Sequence, residues 1–128
     1  MAIKVCKFGG TSMADGNVIL SAAKIVRSDA ERRYVVVSAP GKRFGGDIKV
    51  TDLLYKCSDA AATGDRAAFD ETFGKIRTRF LNIEKEIGKD LGIGAALDEV
   101  AEKVLAGAGS DYCASRGEYL AAKIMAAV

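Results

Sequence analysis

Ile3-Lys4-Val5-Cys6, followed without a break by Lys7-Phe8-Gly9-Gly10-Thr11-Ser12, is the stretch on which the fold turns. The run from Ile3 to Phe8 reads as a strand, and it ends on a lysine, a glycine pair and two hydroxyls. Glycines let the backbone turn sharply and bring its N–H groups close to a ligand. A lysine beside them adds a compact positive charge. That combination suits the oxygens of a phosphoryl group in transfer, where catalysis rests on positioning and charge stabilisation. A Walker loop carries its lysine after the glycines and before a Ser or Thr, so the order here marks a phosphate site of another kind. For a Gly-Gly pair taken alone, a strand-to-helix turn with a solvated lysine is the simpler reading.

Downstream, Arg33 to Ser38 reads as a second strand. Its nearly continuous run Tyr34-Val35-Val36-Val37 is what a strand covered on both faces shows. Between the strands Asp15 is predicted to cap a helix reaching about Asp29, with Val18, Ala22, Ile25 and Val26 at helical spacing. Strand, helix, strand implies a right-handed βαβ unit and a parallel sheet. A Gly-rich, slightly basic loop follows from Ala39 to Lys49 and holds the only proline. Everything beyond is helical in pattern: Thr51 to about Ala62, Asp65 to about Ile87, about Ala95 to Leu105, and Ser110 or Asp111 to the end. Phe69, Phe73, Ile76, Phe80, Ile83 and Ile87 form the cleanest periodic stripe, read as a face packed on the core or on a partner helix. Gly92-Ile93-Gly94 and Gly107-Ala108-Gly109 read as helix breaks. Two strands alone make a marginal sheet, and Ala126-Ala127-Val128 lies in an apolar helical pattern without a stop signal. The sequence therefore reads as truncated.

Composition narrows the function. The 128 residues, 49% hydrophobic and 28% charged, suit one soluble globular domain. A net charge of +2, no Trp and no basic run with interleaved aromatics give no case for a nucleic-acid partner. The absence of His removes Ser-His and Cys-His nucleophilic pairs and every His-containing metal site. Cys6, Cys57 and Cys113 lack paired spacing and read as reduced thiols, mostly small buried hydrophobes. No run approaches membrane-spanning length and the first residues lack a secretory core, so no membrane partner and a cytoplasmic location are expected.

Three further places carry candidate chemistry. Ser38-Ala39-Pro40-Gly41 lies at the carboxyl end of the second strand, the edge off which ligands sit in open α/β sheets, although it is also ordinary turn chemistry. Thr51 reads as a helix N-cap. Ser115-Arg116-Gly117-Glu118-Tyr119-Leu120 sets a glutamate in a largely apolar helix, where a surface carboxylate or an ion pair with Arg116 is the usual explanation.

In this order, Lys7-Phe8-Gly9-Gly10-Thr11-Ser12, Val35-Val36-Val37-Ser38-Ala39, Thr51-Asp52-Leu53-Leu54 and Ser115-Arg116-Gly117-Glu118-Tyr119-Leu120 resemble the motifs of aspartate kinases in the amino-acid-kinase family. The resemblance runs over all 128 residues. It implies an α/β fold, the three-layer α/β/α sandwich of that family. Residues 1–128 would supply its amino-terminal, substrate-side part, the start of the parallel sheet plus covering helices, with the nucleotide-binding half and the regulatory domains absent.

The activity implied is transfer of the ATP γ-phosphoryl group to the side-chain carboxylate of L-aspartate, giving 4-phospho-L-aspartate for lysine, threonine and methionine synthesis. Lys7 would be catalytic, Lys7, Phe8, Gly9 and Gly10 would meet the ATP phosphates, Ser38 and Thr51 would hold aspartate, and a buried Glu118 would pair with its α-ammonium. Mg²⁺ would come with the nucleotide, without a metal ligand from the chain, and the full-length protein would be a homo-oligomer. A carboxylate nucleophile with a reference pKa of about 3.9 needs no general base, which reconciles the chemistry with the lack of His. With half the charge compensation missing, the isolated chain is expected not to turn over. A glutamate-type acceptor, or a non-catalytic binding or assembly fragment completed by a partner chain, stand as alternatives.

Overall fold

The computed structural model describes residues 2–128. The elements run β1 (Lys4–Lys7), a 3-10 turn (Gly10–Met13), α1 (Gly16–Arg27), β2 (Arg32–Val36), α2 (Val50–Thr63), α3 (Arg66–Ile87), α4 (Ile93–Leu105) and α5 (Ser110–Ala127). β1 and β2 pair in parallel, with Val5 opposite Tyr34, Cys6 opposite Val35 and Lys7 opposite Val36. Beyond the last pair, the Phe8 N–H donates to the Val36 carbonyl at 2.9 Å. The expected βαβ unit is present. As predicted, Asp15 caps α1, its carboxylate accepting from the Val18 N–H at 2.9 Å.

Both strands are shorter than the sequence suggests, because the chain leaves the ladder where the glycine-bearing turns begin. Nor is β2 covered on both faces by these residues. Val35 and Val37 line an apolar groove of about 210 Å³ with Ala23 and Val26 of α1 and Met125 of α5. Val5, Tyr34 and Val36, on the alternate face, are 66%, 61% and 47% exposed. A continuous apolar run signals burial in a whole sheet, and here only one face has a covering layer.

The main core lies among α2, α3, α4 and α5. Phe69, Phe73, Ile76, Phe80 and Ile83 are buried and Ile87 packs against them, so the stripe on α3 is a core face. Phe69 and Phe73 stack with centroids 5.6 Å apart. Cys57 and Cys113 are buried in the same core, and desolvation pushes the Cys57 thiol up to about 12; neither behaves as a nucleophile. Gly64 and Gly88 end α2 and α3 in the left-handed region, with φ of 72° and 80°.

Two helix starts also differ from the sequence reading. α4 begins at Ile93 rather than Ala95, because the Glu84 carboxylate accepts from the N–H groups of Leu91 (2.9 Å) and Ile93 (3.3 Å) and so satisfies its amino end. α2 begins at Val50 with Lys49 in the cap position and no side-chain cap. Thr51 is therefore inside the first turn and is not the N-cap.

Candidate functional site

The segments after the two strands converge at the carboxyl edge of the sheet. The Gly41 N–H donates to the Gly10 carbonyl at 2.9 Å, and the Val50 N–H to the Pro40 carbonyl at 3.1 Å. A Cβ at Gly41 would lie 2.8 Å from the Gly10 carbonyl carbon and 3.0 Å from its oxygen. Only glycine permits that approach, which is why this loop can close on the opening motif.

The convergence encloses a cavity of about 280 Å³ lined by Gly10, Thr11, Ala39, Pro40, Gly41, Lys42, Lys49 and Thr51. Its size suits a phosphoryl group or a small amino acid and falls short of a whole nucleotide, since pockets for drug-sized ligands run from about 300 to 1,000 Å³. Its chemistry is cationic. Lys42 and Lys49 contribute positive charge, and α2 presents its positive dipole end. Within that first turn, the N–H groups of Thr51 and Asp52 have no acceptor among the described residues. Backbone donors, a hydroxyl pair and two ammonium groups make an oxyanion cradle.

The loop wall is pinned by ion pairs. Arg43 holds Asp47 with both ends of its guanidinium, Nε to Oδ2 at 2.6 Å and Nη2 to Oδ1 at 2.9 Å, and its own N–H adds a bond to Oδ2 at 3.0 Å. That hydrogen bonding holds the Asp47 carboxyl well below its ordinary 3.8. A depressed folded value means the bond stabilises fully above 3.8 and is lost as the pH falls below it toward the folded value. We expect the loop amides Arg43 and Ile48 to stay in place down to that point and to shift only under stronger acid. An NMR titration in which Asp47 protonates at or above its ordinary value would refute the pairing.

The sequence-predicted residues divide. Gly10 and Thr51 line the cavity. Lys7 ends β1 exposed, Phe8 is half-buried against the core, Gly9 caps the 3-10 turn in the open, and Ser38 is half-buried; none of them lines the cavity. Glu118 stands exposed on α5 with no ion pair among the described residues, so the burial expected for it is not formed by this chain. Arg116 does not pair with it either, and instead lies over the rings of Tyr112 and Tyr119 at 4.6 and 4.3 Å. Gly117 has a packing role: a Cβ there would meet Ala39 Cβ at 2.7 Å.

Sequence reasoning placed Thr11 in the opening phosphate motif, but it missed Lys42 and Lys49 as wall residues and missed Arg79 altogether. The basic character of the 39–49 loop was the available signal for the lysines. For Arg79 the signal was a charge three residues after Ile76, flanking the apolar stripe. Among the described residues no group of three or more His, Cys, Asp or Glu could hold a metal ion.

Comparison with known proteins agrees with this architecture. The amino acid kinase family model matches residues 2–128. Aspartokinase 3 of Bacillus subtilis is 52% identical over 63 residues, a stretch covering 48% of this chain and 14% of that protein. The crystal structure of Clostridium acetobutylicum aspartate kinase superposes with a TM-score of 0.90 at 45% identity, over 95% of this chain and 28% of that one. That of E. coli aspartokinase III with aspartate and ADP gives 0.74 at 29% identity, over 96% and 28%. The chain thus spans less than a third of the length of these solved relatives. With the match unbroken from residue 2 to 128 and the two-stranded start of the parallel sheet in register, the chain belongs to the amino acid kinase family.

Proposed function

We propose that this chain forms the acceptor side of an aspartate kinase, in which the side-chain carboxylate of L-aspartate takes the γ-phosphoryl group of ATP. The observation that carries the reading is the cationic cavity where Gly10, Gly41, Lys49 and Thr51 meet at the sheet edge. The solved relative holding aspartate and ADP supports it. In the reaction a carboxylate oxygen of aspartate forms the new O–P bond, the bond from the γ-phosphorus to the bridging oxygen breaks, and ADP leaves. No proton need move, because a carboxylate of pKa about 3.9 is already ionised.

The residues would divide the work as follows. Lys7, with Phe8, Gly9 and Gly10, meets the nucleotide phosphates, and Lys7 offsets charge on the group in flight. Ser38 and Thr51 orient aspartate. Glu118, exposed in this chain, would face the α-ammonium once the remaining two-thirds or more of a full-length kinase is in place, and would reject analogues without an amine. Among the described residues no cluster of carboxylates or thiolates fits a resident metal, so any Mg²⁺ would arrive on the nucleotide phosphates. The whole protein would act in cytoplasmic lysine, threonine and methionine synthesis as a homo-oligomer, and residues 1–128 would be its substrate-side portion, inactive alone.

A two-dimensional amide NMR spectrum with and without saturating L-aspartate tests this. Localised shifts at Ser38, Thr51 and the first turn of α2, larger with L-aspartate than with L-glutamate, are expected. A dispersed spectrum unmoved by aspartate would overturn the assignment of the acceptor site to this chain. Hydroxylamine trapping of an acyl phosphate from the isolated 128 residues would overturn the expectation that they are inactive alone.

A further inference from the structure

Among the described residues, the most deeply buried charged residue has no part in the chemistry proposed above. Arg79 projects from the flank of the α3 stripe and is 5% exposed. A buried guanidinium is costly unless its donors are satisfied, and here the acceptors are specific. Nη2 donates to the Ala14 carbonyl at 2.8 Å and to the Gly41 carbonyl at 2.8 Å, while Nη1 donates to the Ile48 carbonyl at 3.1 Å. Asp47 Oδ2 stands 3.9 Å from Nη1, already held by Arg43.

Those carbonyls belong to the three backbone segments that carry the lining residues of the cationic cavity. Ala14 follows the 3-10 turn that carries Gly10 and Thr11, Gly41 is itself a lining residue, and Ile48 immediately precedes Lys49. The direct Gly41–Gly10 and Val50–Pro40 bonds each join two of these segments, whereas the planar fork of Arg79 reaches all three at once. Arg79 does not line the cavity; it lies behind it, bordering the groove between the loop and α3. One heptad further along α3, the Glu86 carboxylate accepts from the Gly16 N–H at 3.3 Å and from Asn17 Nδ2 at 3.2 Å, so the same flank also holds the start of α1.

We infer that Arg79 is a positioning residue, which locks the three backbone segments into one pre-formed anion cradle and sets its affinity without touching the ligand. The inference rests on the anion-site reading above. Lysine would keep the charge but not the planar fork, so it would restore only part of the geometry.

The test uses the whole 128-residue chain with inorganic tripolyphosphate as probe, followed by amide NMR. Arg79→Met is expected to weaken binding by at least about tenfold, as loss of preorganisation does, and Arg79→Lys to recover part of that loss. Thermal unfolding is recorded alongside. Variants that melt earlier yet, while folded, bind the probe as tightly as the parent would overturn the inference, since a purely structural role predicts that result. If Arg79→Met does not fold, the parent chain decides: its Arg79 Nη–H signals, held by the three carbonyls, should exchange slowly and move as tripolyphosphate saturates. Signals indifferent to the probe would overturn the proposal. A parent chain that binds no tripolyphosphate would overturn the anion site itself, together with this inference, and is recognised before any substitution is made.

Discussion

In a full-length aspartate kinase carrying this segment, Lys7→Ala is expected to lower turnover by about 10²–10³-fold while leaving the aspartate KM within about twofold, the signature of a lost charge contact made in the transition state. Position argues for so selective an effect. Lys7 is the last residue of β1, paired in register with Val36, and its side chain is exposed, so its removal empties no core. The ladder continues past it through the Phe8 N–H, which fixes where the strand releases the chain. A lysine held at that release point and followed by Gly9 and Gly10 is aimed by the backbone rather than by side-chain partners. Acceptor binding draws on other groups, Thr51 and the α2 amino end, which alanine at position 7 leaves intact. Unchanged turnover would remove Lys7 from the mechanism. A proportionate rise in KM alone would make it a binding residue only.

How much of this was legible in the sequence depends on the range of the signal. The βαβ start was, because Asp15 caps its own helix three residues on and β-branched Val35 and Val36 declare a strand locally. The α3 stripe was, because burial repeats at the helical period. The true start of α2 was not. Thr51 looks like a cap, but the Val50 N–H donates to the Pro40 carbonyl across the loop, so the helix starts one residue earlier with Lys49 in the cap position. Arg79 was hidden for the same reason, as its three acceptors are backbone carbonyls 31 to 65 residues away and leave no trace in residue type. Glu118 was legible as a motif but not as an environment, since these residues alone do not bury it. The lysines of the cavity wall fell between: the basic loop was visible, its closure onto Gly10 was not.

Gly117→Val should destabilise the chain by about 2 kcal/mol, a net of opposed effects. Glycine inside a helix costs about 1 kcal/mol against alanine, so any side chain at this position recovers part of that in α5. Against it stands overpacking, typically about 1–3 kcal/mol and greater for a branched side chain with nowhere to go. The neighbours decide which wins. Leu54 Cδ1 at 3.3 Å is a side-chain end that can turn aside, whereas Val50 Cγ1 at 3.4 Å is stiff and Ala39 Cβ at 2.7 Å is fixed to backbone. That backbone is itself tied on by the Pro40–Val50 and Gly41–Gly10 hydrogen bonds. The clash therefore cannot be relieved without moving the cavity wall, and the loss in urea midpoint should come with amide shifts at Gly10, Thr11 and Gly41. A valine variant as stable as the parent would show that α5 does not press on Ala39. The contact also joins three of the motifs read in the sequence: Ala39 ends the second-strand motif, Val50 and Leu54 open α2, and Gly117 precedes Glu118. The glycine is there so that α5 can lie against the end of the second-strand segment.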